Sequence, residues 1–258
     1  MLSIEFAPIG ADAAIGVRRS RLIVTRRGVA DSTYRAVGYL DKVIDDGQSF
    51  YEFRYLEAAL HDAHFLPIVG FGDVHRQYRS SRLFPSFADR VMSAKRPDRP
   101  VYLAGLDLES DADAWEILAA SGGHREGDPI ELISLPTWDS ETRETTAHFL
   151  THGVRHCDAT AGAYISTLES GAQLMLETEP GNETNPQAVR ITGAGRHLGY
   201  VPDPLLDHVH SVMRYGAFEL KVVRANPPET HPHLRLLLSL TGRCEQFVFD
   251  KPEWLPVA

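Results

Sequence analysis

Two cysteines, Cys157 and Cys244, are the only thiols in 258 residues. A secreted domain built on disulfides needs more, so reduced thiols are expected. Long apolar runs are missing too, and no stretch approaches the length that spans a bilayer. Met1-Leu2-Ser3-Ile4-Glu5-Phe6 has no basic region leading into an apolar segment. No secretory leader is read there, and a cytoplasmic address is expected. Positive charge is in short supply: 26 Lys and Arg face 35 Asp and Glu, a net charge of -9. That balance excludes a protein that coats nucleic acid by bulk attraction, so any contact with a polyanion has to be local.

Signatures of catalysis are absent as well. There is no Cys-x-x-Cys and no His-Glu-x-x-His. Gly122, Gly123 and Gly127 fit neither a Walker loop nor a dinucleotide fingerprint, and read as turn residues. Glu177, Glu179 and Glu183 are close in sequence but read as a solvated loop rather than a nuclease's metal-holding set. Cys157 beside His156 lacks an orienting partner. His148, His152 and His156 fall four apart in an extended pattern, which separates them. His208-Val209-His210 and His231-Pro232-His233 would build a metal site only if the fold brought such pairs together. No catalytic residue, metal or cofactor is expected.

What is present is an ordinary foldable composition, 43% hydrophobic and 24% charged, which predicts a packed core. Strands are predicted over 21–26, 35–40 and 50–55, with Asp45-Asp46-Gly47 as a turn. Pro85 opens a predicted helix through Met92, and Trp115–Ala120 forms another, stopped by Gly122-Gly123. Residues 128–135 return as a strand. The polar stretch 136–146 has no apolar period and marks a boundary between an α+β domain, 1–145, and a mostly-β domain, 146–258. In the second part a strand runs from His148 to near Arg155, and a helix covers 161–168. Strands follow over 171–176, 188–191 and 198–201, then a helix over 203–213. Strands over 218–223, 234–240 and 247–249 complete it. Many short strands with few short helices predict a small barrel.

Three pieces of the second part occur in a distinctive order: Gly153-Val154-Arg155-His156, the loop Glu179-Pro180-Gly181-Asn182-Glu183-Thr184-Asn185-Pro186-Gln187-Ala188, and the turn Gly199-Tyr200-Val201-Pro202. This order resembles the HIRAN domain, over about residues 147–245. The resemblance implies a barrel with short helices, related to oligonucleotide-binding and SH3-type folds, that holds the 3′ end of single-stranded DNA. It implies that Arg155 and His156 face phosphate and base, that Asn182 and Asn185 belong to the binding loop with Asn185 near the terminal sugar, and that Tyr200 stands beside it. The loop departs from the family pattern: an amide, Asn185, replaces an acid, Gln187 replaces an asparagine, and His156 stands where helicase-linked members have tyrosine. The first part is similar, more faintly, to the N-terminal subdomain of HipA-type toxin kinases, through Gly38-Tyr39-Leu40, Phe53-Arg54-Tyr55, Leu83-Phe84-Pro85 and Asp128–Leu132. The kinase body and its motifs are absent. Together these pieces resemble a bacterial HIRAN-domain protein with a HipA-like front.

The same residues admit plainer readings. Arg155 is solvated and His156 fills a barrel edge, or Arg155 meets phosphate and His156 stacks on a base. As neighbours on a strand they share one surface only if the strand bends or ends there. Asn182 and Asn185 brace their own loop, or Asn185 contacts sugar or base. Tyr200 is buried, or offers a stacking face. A further local excess of positive charge spans Arg76, Arg79, Arg82, Arg90, Lys95, Arg96 and Arg99, either a solvated face or a track for phosphate. A second run, Arg18, Arg19, Arg21, Arg26 and Arg27, straddles a strand. The expected function is non-catalytic binding of single-stranded DNA or DNA 3′ ends, in repair or genome defence. The alternative is an interaction component of a toxin–antitoxin or defence complex, with a kinase, repressor or helicase-type protein as partner.

Overall fold

The structure, a computed structural model, describes residues 17–29 and 31–258; the leader reading at Met1–Phe6 lies outside them. Three long strands build the first sheet: β1 (Arg18–Arg27), β2 (Tyr34–Asp45) and β3 (Gln48–Tyr55). The expected turn forms between β2 and β3. Asp46 and Gly47 take φ of 47° and 76°, and Asp45 pairs with Gln48. This is the two-residue turn whose twist matches its flanking strands. β4 (Tyr78–Ser80) adds at one edge and β5 (Ile130–Ser134) at the other. The order is β4-β3-β2-β1-β5, antiparallel throughout.

Leu22, Ile23, Val24 and Thr25 on β1 are all buried, so this interior strand is covered on both faces. An aromatic cluster anchors the sheet: the Phe53 ring, fully buried, lies 4.4, 4.8 and 5.8 Å from Phe71, Tyr55 and Phe87.

The helices of this half are short: α1 (Glu57–Leu60), α2 (Pro85–Ala88), α3 (Arg99–Gly105) and α4 (Ala114–Ser121). Periodicity extends α2 to Met92, but the helix stops after one turn. Arg90 instead carries its guanidinium to Asp128, at 2.7 Å, and to the Gly123 and Ile130 carbonyls. Long-range polar contacts override local propensity there. α4 matches its prediction, closed by a reciprocal Asp113–Glu116 cap in front and Gly122 at φ 68° behind.

The second sheet begins inside the polar stretch. β6 (Thr137–Trp138) and β7 (Glu144–Leu150) form a hairpin whose turn is braced by Asp139, accepting from the amides of Glu141 and Thr142. Then come α5 (Ala159–Ile165), β8 (Gln173–Thr178), β9 (Val189–Gly193), β10 (Arg196–Tyr200), α6 (Leu206–Tyr215), β11 (Glu219–Ala225) and β12 (Leu236–Arg243). The strand order is β10-β9-β8-β11-β12-β7-β6, again antiparallel.

Three expectations need correction. The barrel does not close: beyond β7 the chain meets β10 only through an isolated bridge between His152 and Tyr200. The strand expected to run near to Arg155 ends at Leu150, because Gly153, at φ 73°, turns the chain into a 3₁₀ turn over Val154–His156. The strand expected over Phe247–Phe249 is also replaced by a 3₁₀ turn, Val248–Asp250. There the Phe249 ring packs edge-on to Trp254 and tilted against His208, so aromatic burial rather than strand pairing places it.

One buried apolar cluster runs through both sheets. The C-terminal segment crosses back to the first of them: the Val257 amide donates to Tyr55 at 2.8 Å, and Trp254 stacks on Tyr39. No helix among the described residues is long and apolar enough to cross a membrane.

Phe53→Ala should cost about 3–5 kcal/mol, since it empties the centre of a packed aromatic cluster. Urea unfolding measures this; a loss under about 1 kcal/mol would mean that the cluster does not anchor the sheet.

Candidate functional site

The open side of the second sheet faces the edge of the first, and a cleft of about 740 Å³ lies between them. That volume is within the range of ligand pockets, about 300–1,000 Å³. Arg155, His156, Asn182, Asn185 and Tyr200 all line it.

The Gly153 turn makes this possible. Arg155 and His156 leave the strand, so they no longer point to opposite faces. The Arg155 Nε donates to His156 Nε2 at 2.9 Å, and both side chains are exposed. Tyr200 stands opposite: a Cβ added to Gly153 would lie 3.2 Å from its ring. Gly199 is needed for a second reason. A Cβ there would come within 2.4 Å of Thr151 and 2.5 Å of the His152 carbonyl, so only glycine lets the two backbones bridge.

The loop 179–187 is organised from within. Asn182 Oδ1 accepts from the amides of Thr184 and Asn185, both at 3.0 Å, while its Nδ2 donates to Glu179 at 2.7 Å. The Tyr200 hydroxyl donates to the same carboxylate at 2.9 Å. These two donors, Asn182 first, hold the Glu179 carboxyl below its ordinary range. Asn185 Nδ2 donates to Asp203 at 3.0 Å, and the other Asp203 oxygen accepts from the Tyr34 amide at 3.0 Å. A chain of hydrogen bonds therefore runs from the loop to the first sheet.

Charge in the cleft is uneven rather than strongly positive. Arg27, Arg125 and Arg155 line it, with Glu126, Asp128, Glu131 and Asp203. None of the three arginines is ion-paired with a carboxylate among the described residues. Asp128 is bound to Arg90, and Glu131 to His152. Attraction for an anion thus resides in the free guanidinium groups.

The Arg76–Arg99 run is used differently along its length. Arg90 pairs with Asp128, Arg96 with Asp98, and Arg99 donates to the Met92 and Ala112 carbonyls. Arg76 and Arg79 lie over the rings of Tyr78 and Phe50, and Arg82 and Lys95 are exposed. In the earlier run, Arg19 and Arg21 are bound by Asp41, with Glu52 also on Arg19, while Arg27 reaches the cleft.

Sequence reasoning passed over the residues at the buried side of the cleft. His152 Nε2 lies 2.9 Å from the Glu131 carboxylate, and His233 Nε2 lies 3.7 Å from the same oxygen. Burial alone would raise the Glu131 carboxyl, but the His152 charge and hydrogen bond outweigh it and hold the group below its ordinary value. Burial alone would lower His152, and the Glu131 charge reverses this and raises it. Burial takes His233 down to about 4. The His124 ring stacks on His233 with centroids 4.4 Å apart. The other doublet goes elsewhere: His208 is buried beside Thr145, and His210 meets the Gln187 carbonyl. Spacing alone carried no signal for the Glu131 cluster, because its members are 21 and 81 residues apart along the chain.

Residues 146–245 match the family model of the HIRAN domain. The second half of the chain therefore carries a HIRAN domain, although the match spans less than half of the whole. Among solved structures, a Lactobacillus plantarum protein is 21% identical, with 39% of this chain and 99% of that chain covered and a TM-score of 0.31. The HIRAN domain of human HLTF is 14% identical, with 40% of this chain and 77% of that chain covered and a TM-score of 0.29. A search of curated proteins finds no match.

Asn182→Ala removes the acceptor for two loop amides. Hydrogen exchange at Thr184 and Asn185 should speed up about tenfold, the size of one lost hydrogen bond of about 1 kcal/mol. Unchanged exchange would show that another contact holds the loop.

Proposed function

We propose, from the HIRAN domain at residues 146–245, that the cleft binds single-stranded DNA and receives its 3′ end. One observation carries this reading: the five residues that the HIRAN pattern marks line one cleft, beside three arginines without ion-pair partners. Arg155 contacts a phosphate through its planar fork of donors. His156, held by Arg155, and Tyr200 present flat rings on which bases stack. Arg27 at the end of β1 and Arg125 in the turn before β5 reach the strand, so residues 1–145 contribute charge to a site whose frame lies in 146–258.

The loop's amide at Asn185 weakens it as an acceptor for a terminal hydroxyl. Asp203 supplies the missing carboxylate 3.0 Å away. It accepts from the 3′-hydroxyl, with Asn185 fixing its orientation. No group here is assigned a catalytic role, and repair or genome defence is the setting to which such end binding is suited.

Fluorescence anisotropy on labelled single strands tests the reading. Arg155→Ala should weaken binding about tenfold and lower the slope of log K against log salt by about 0.7, the loss of one single-strand phosphate contact. A strand with a 3′-phosphate should bind more weakly than one with a 3′-hydroxyl, because a dianion would face Asp203. Equal affinity for both ends removes the end-reading role; no binding at tens of micromolar in low salt removes the whole reading.

A further inference from the structure

We propose that Glu131, His152 and His233 form a zinc site on the buried wall of the cleft. The three donors come from separate parts of the fold: Glu131 from β5 of the first sheet, His152 from the bridge beyond β7, and His233 from the 3₁₀ turn before β12. One ligand atom from each lies within 4.8 Å of the other two. The Glu131 carboxylate is 2.9 Å from His152 Nε2 and 3.7 Å from His233 Nε2. A tetrahedral zinc with bonds of about 2.0–2.1 Å sets its ligand atoms about 3.3–3.4 Å apart. The two measured edges straddle that spacing, and rotation of the imidazoles closes the third.

A second observation points to a bound cation independently of the spacing. Glu131 is only 3% exposed, and its Oε2 is buried with no hydrogen-bond partner. A buried carboxylate oxygen left unpaired is costly, and a cation bound by the carboxylate removes that cost. The histidines suit the same ion. His233 is largely shielded, and its Nε2 already lies 3.7 Å from the Glu131 carboxylate. His124 stacked on it restricts the ring's orientation. On binding, the His233 proton facing the Ser121 carbonyl moves from Nε2 to Nδ1, and His152 releases its Nε2 proton to solvent, so the ion replaces the His152–Glu131 hydrogen bond.

The donor chemistry selects the metal. Two imidazoles with one carboxylate suit zinc, whereas magnesium and calcium prefer all-oxygen shells. Three protein ligands leave a fourth position, and because all three residues line the cleft, that position faces it and takes a water or an anionic oxygen. The ion also links the two sheets, so it stabilises their junction.

The test is a zinc titration of the full chain, stripped with chelator and free of nucleic acid, so its outcome is independent of strand binding. One equivalent should bind with a Kd on the order of 1 μM or below. Zinc at a hundredfold excess over Kd should raise Tm by about 5 °C. His233→Asn and Glu131→Gln should weaken binding at least about a hundredfold, while His61→Asn, at an exposed histidine that does not line the cleft, should leave it unchanged. Cobalt added to the unaltered chain should give the intense visible absorption of four- or five-coordinate geometry, a readout that needs no variant to fold. Zinc binding weaker than about 100 μM, six-coordinate cobalt spectra, or affinity indifferent to His233→Asn would each overturn the proposal.

Discussion

Glu131 carries its carboxylate from β5 into the seam between the two sheets, where His152 meets it at 2.9 Å. Both side chains are largely shielded, at 4% and 15% exposure. A buried pair of this kind adds little net stability over an apolar contact, because desolvation consumes most of the attraction. Its effect is positional: removing one partner strands a buried charge, at a typical cost of about 3–5 kcal/mol. The backbone of His152 is committed as well, exchanging two hydrogen bonds with Tyr200 at 2.9 Å each. One residue thus fixes how far the second sheet curls and how it meets the first. The Gly153 turn, and with it Arg155 and His156, begins directly after this anchor.

An acidic chain can hold a local site for a polyanion if its carboxylates are already engaged near that site. Away from the cleft, Asp41 binds both Arg19 and Arg21. At the cleft, Asp128 is neutralised by Arg90, while Arg27, Arg125 and Arg155 have no carboxylate partner among the described residues. Surface ion pairs at exposed positions contribute little to stability, so leaving these arginines unpaired costs the fold little. The net charge of -9 then acts at longer range, where salt screens it over about 10 Å.

Most of the first sheet was legible in the sequence because its strands alternate and its turn carries Asp-Gly. The α4 helix was legible through its two glycines. The limits of α2 and β7 were not, since both end for reasons outside their own segments: Arg90 is drawn to Asp128, and Gly153 adopts φ 73°. The motif residues of the cleft could be named from sequence because they sit in short ordered patterns. Their coming together could not, because it depends on the His152–Tyr200 bridge. Glu131 was read only as part of a strand. Its partners, His152 and His233, were set aside because spacing measures separation along the chain, and this cluster forms across it.

The open sheet also explains why the two halves share one site. A closed barrel would satisfy every strand edge and leave the first sheet to pack against its outside. Here β7 and β10 part after a single bridge, and the gap is lined from the other side by Arg27, Tyr34 and Arg125. Asp203 spans this gap directly, accepting from Tyr34 on β2 and from Asn185 in the loop. Two hydrogen bonds in series therefore tie Asn185 to the first sheet. The loop 179–187 is positioned by the sheet it faces as well as by the domain it belongs to.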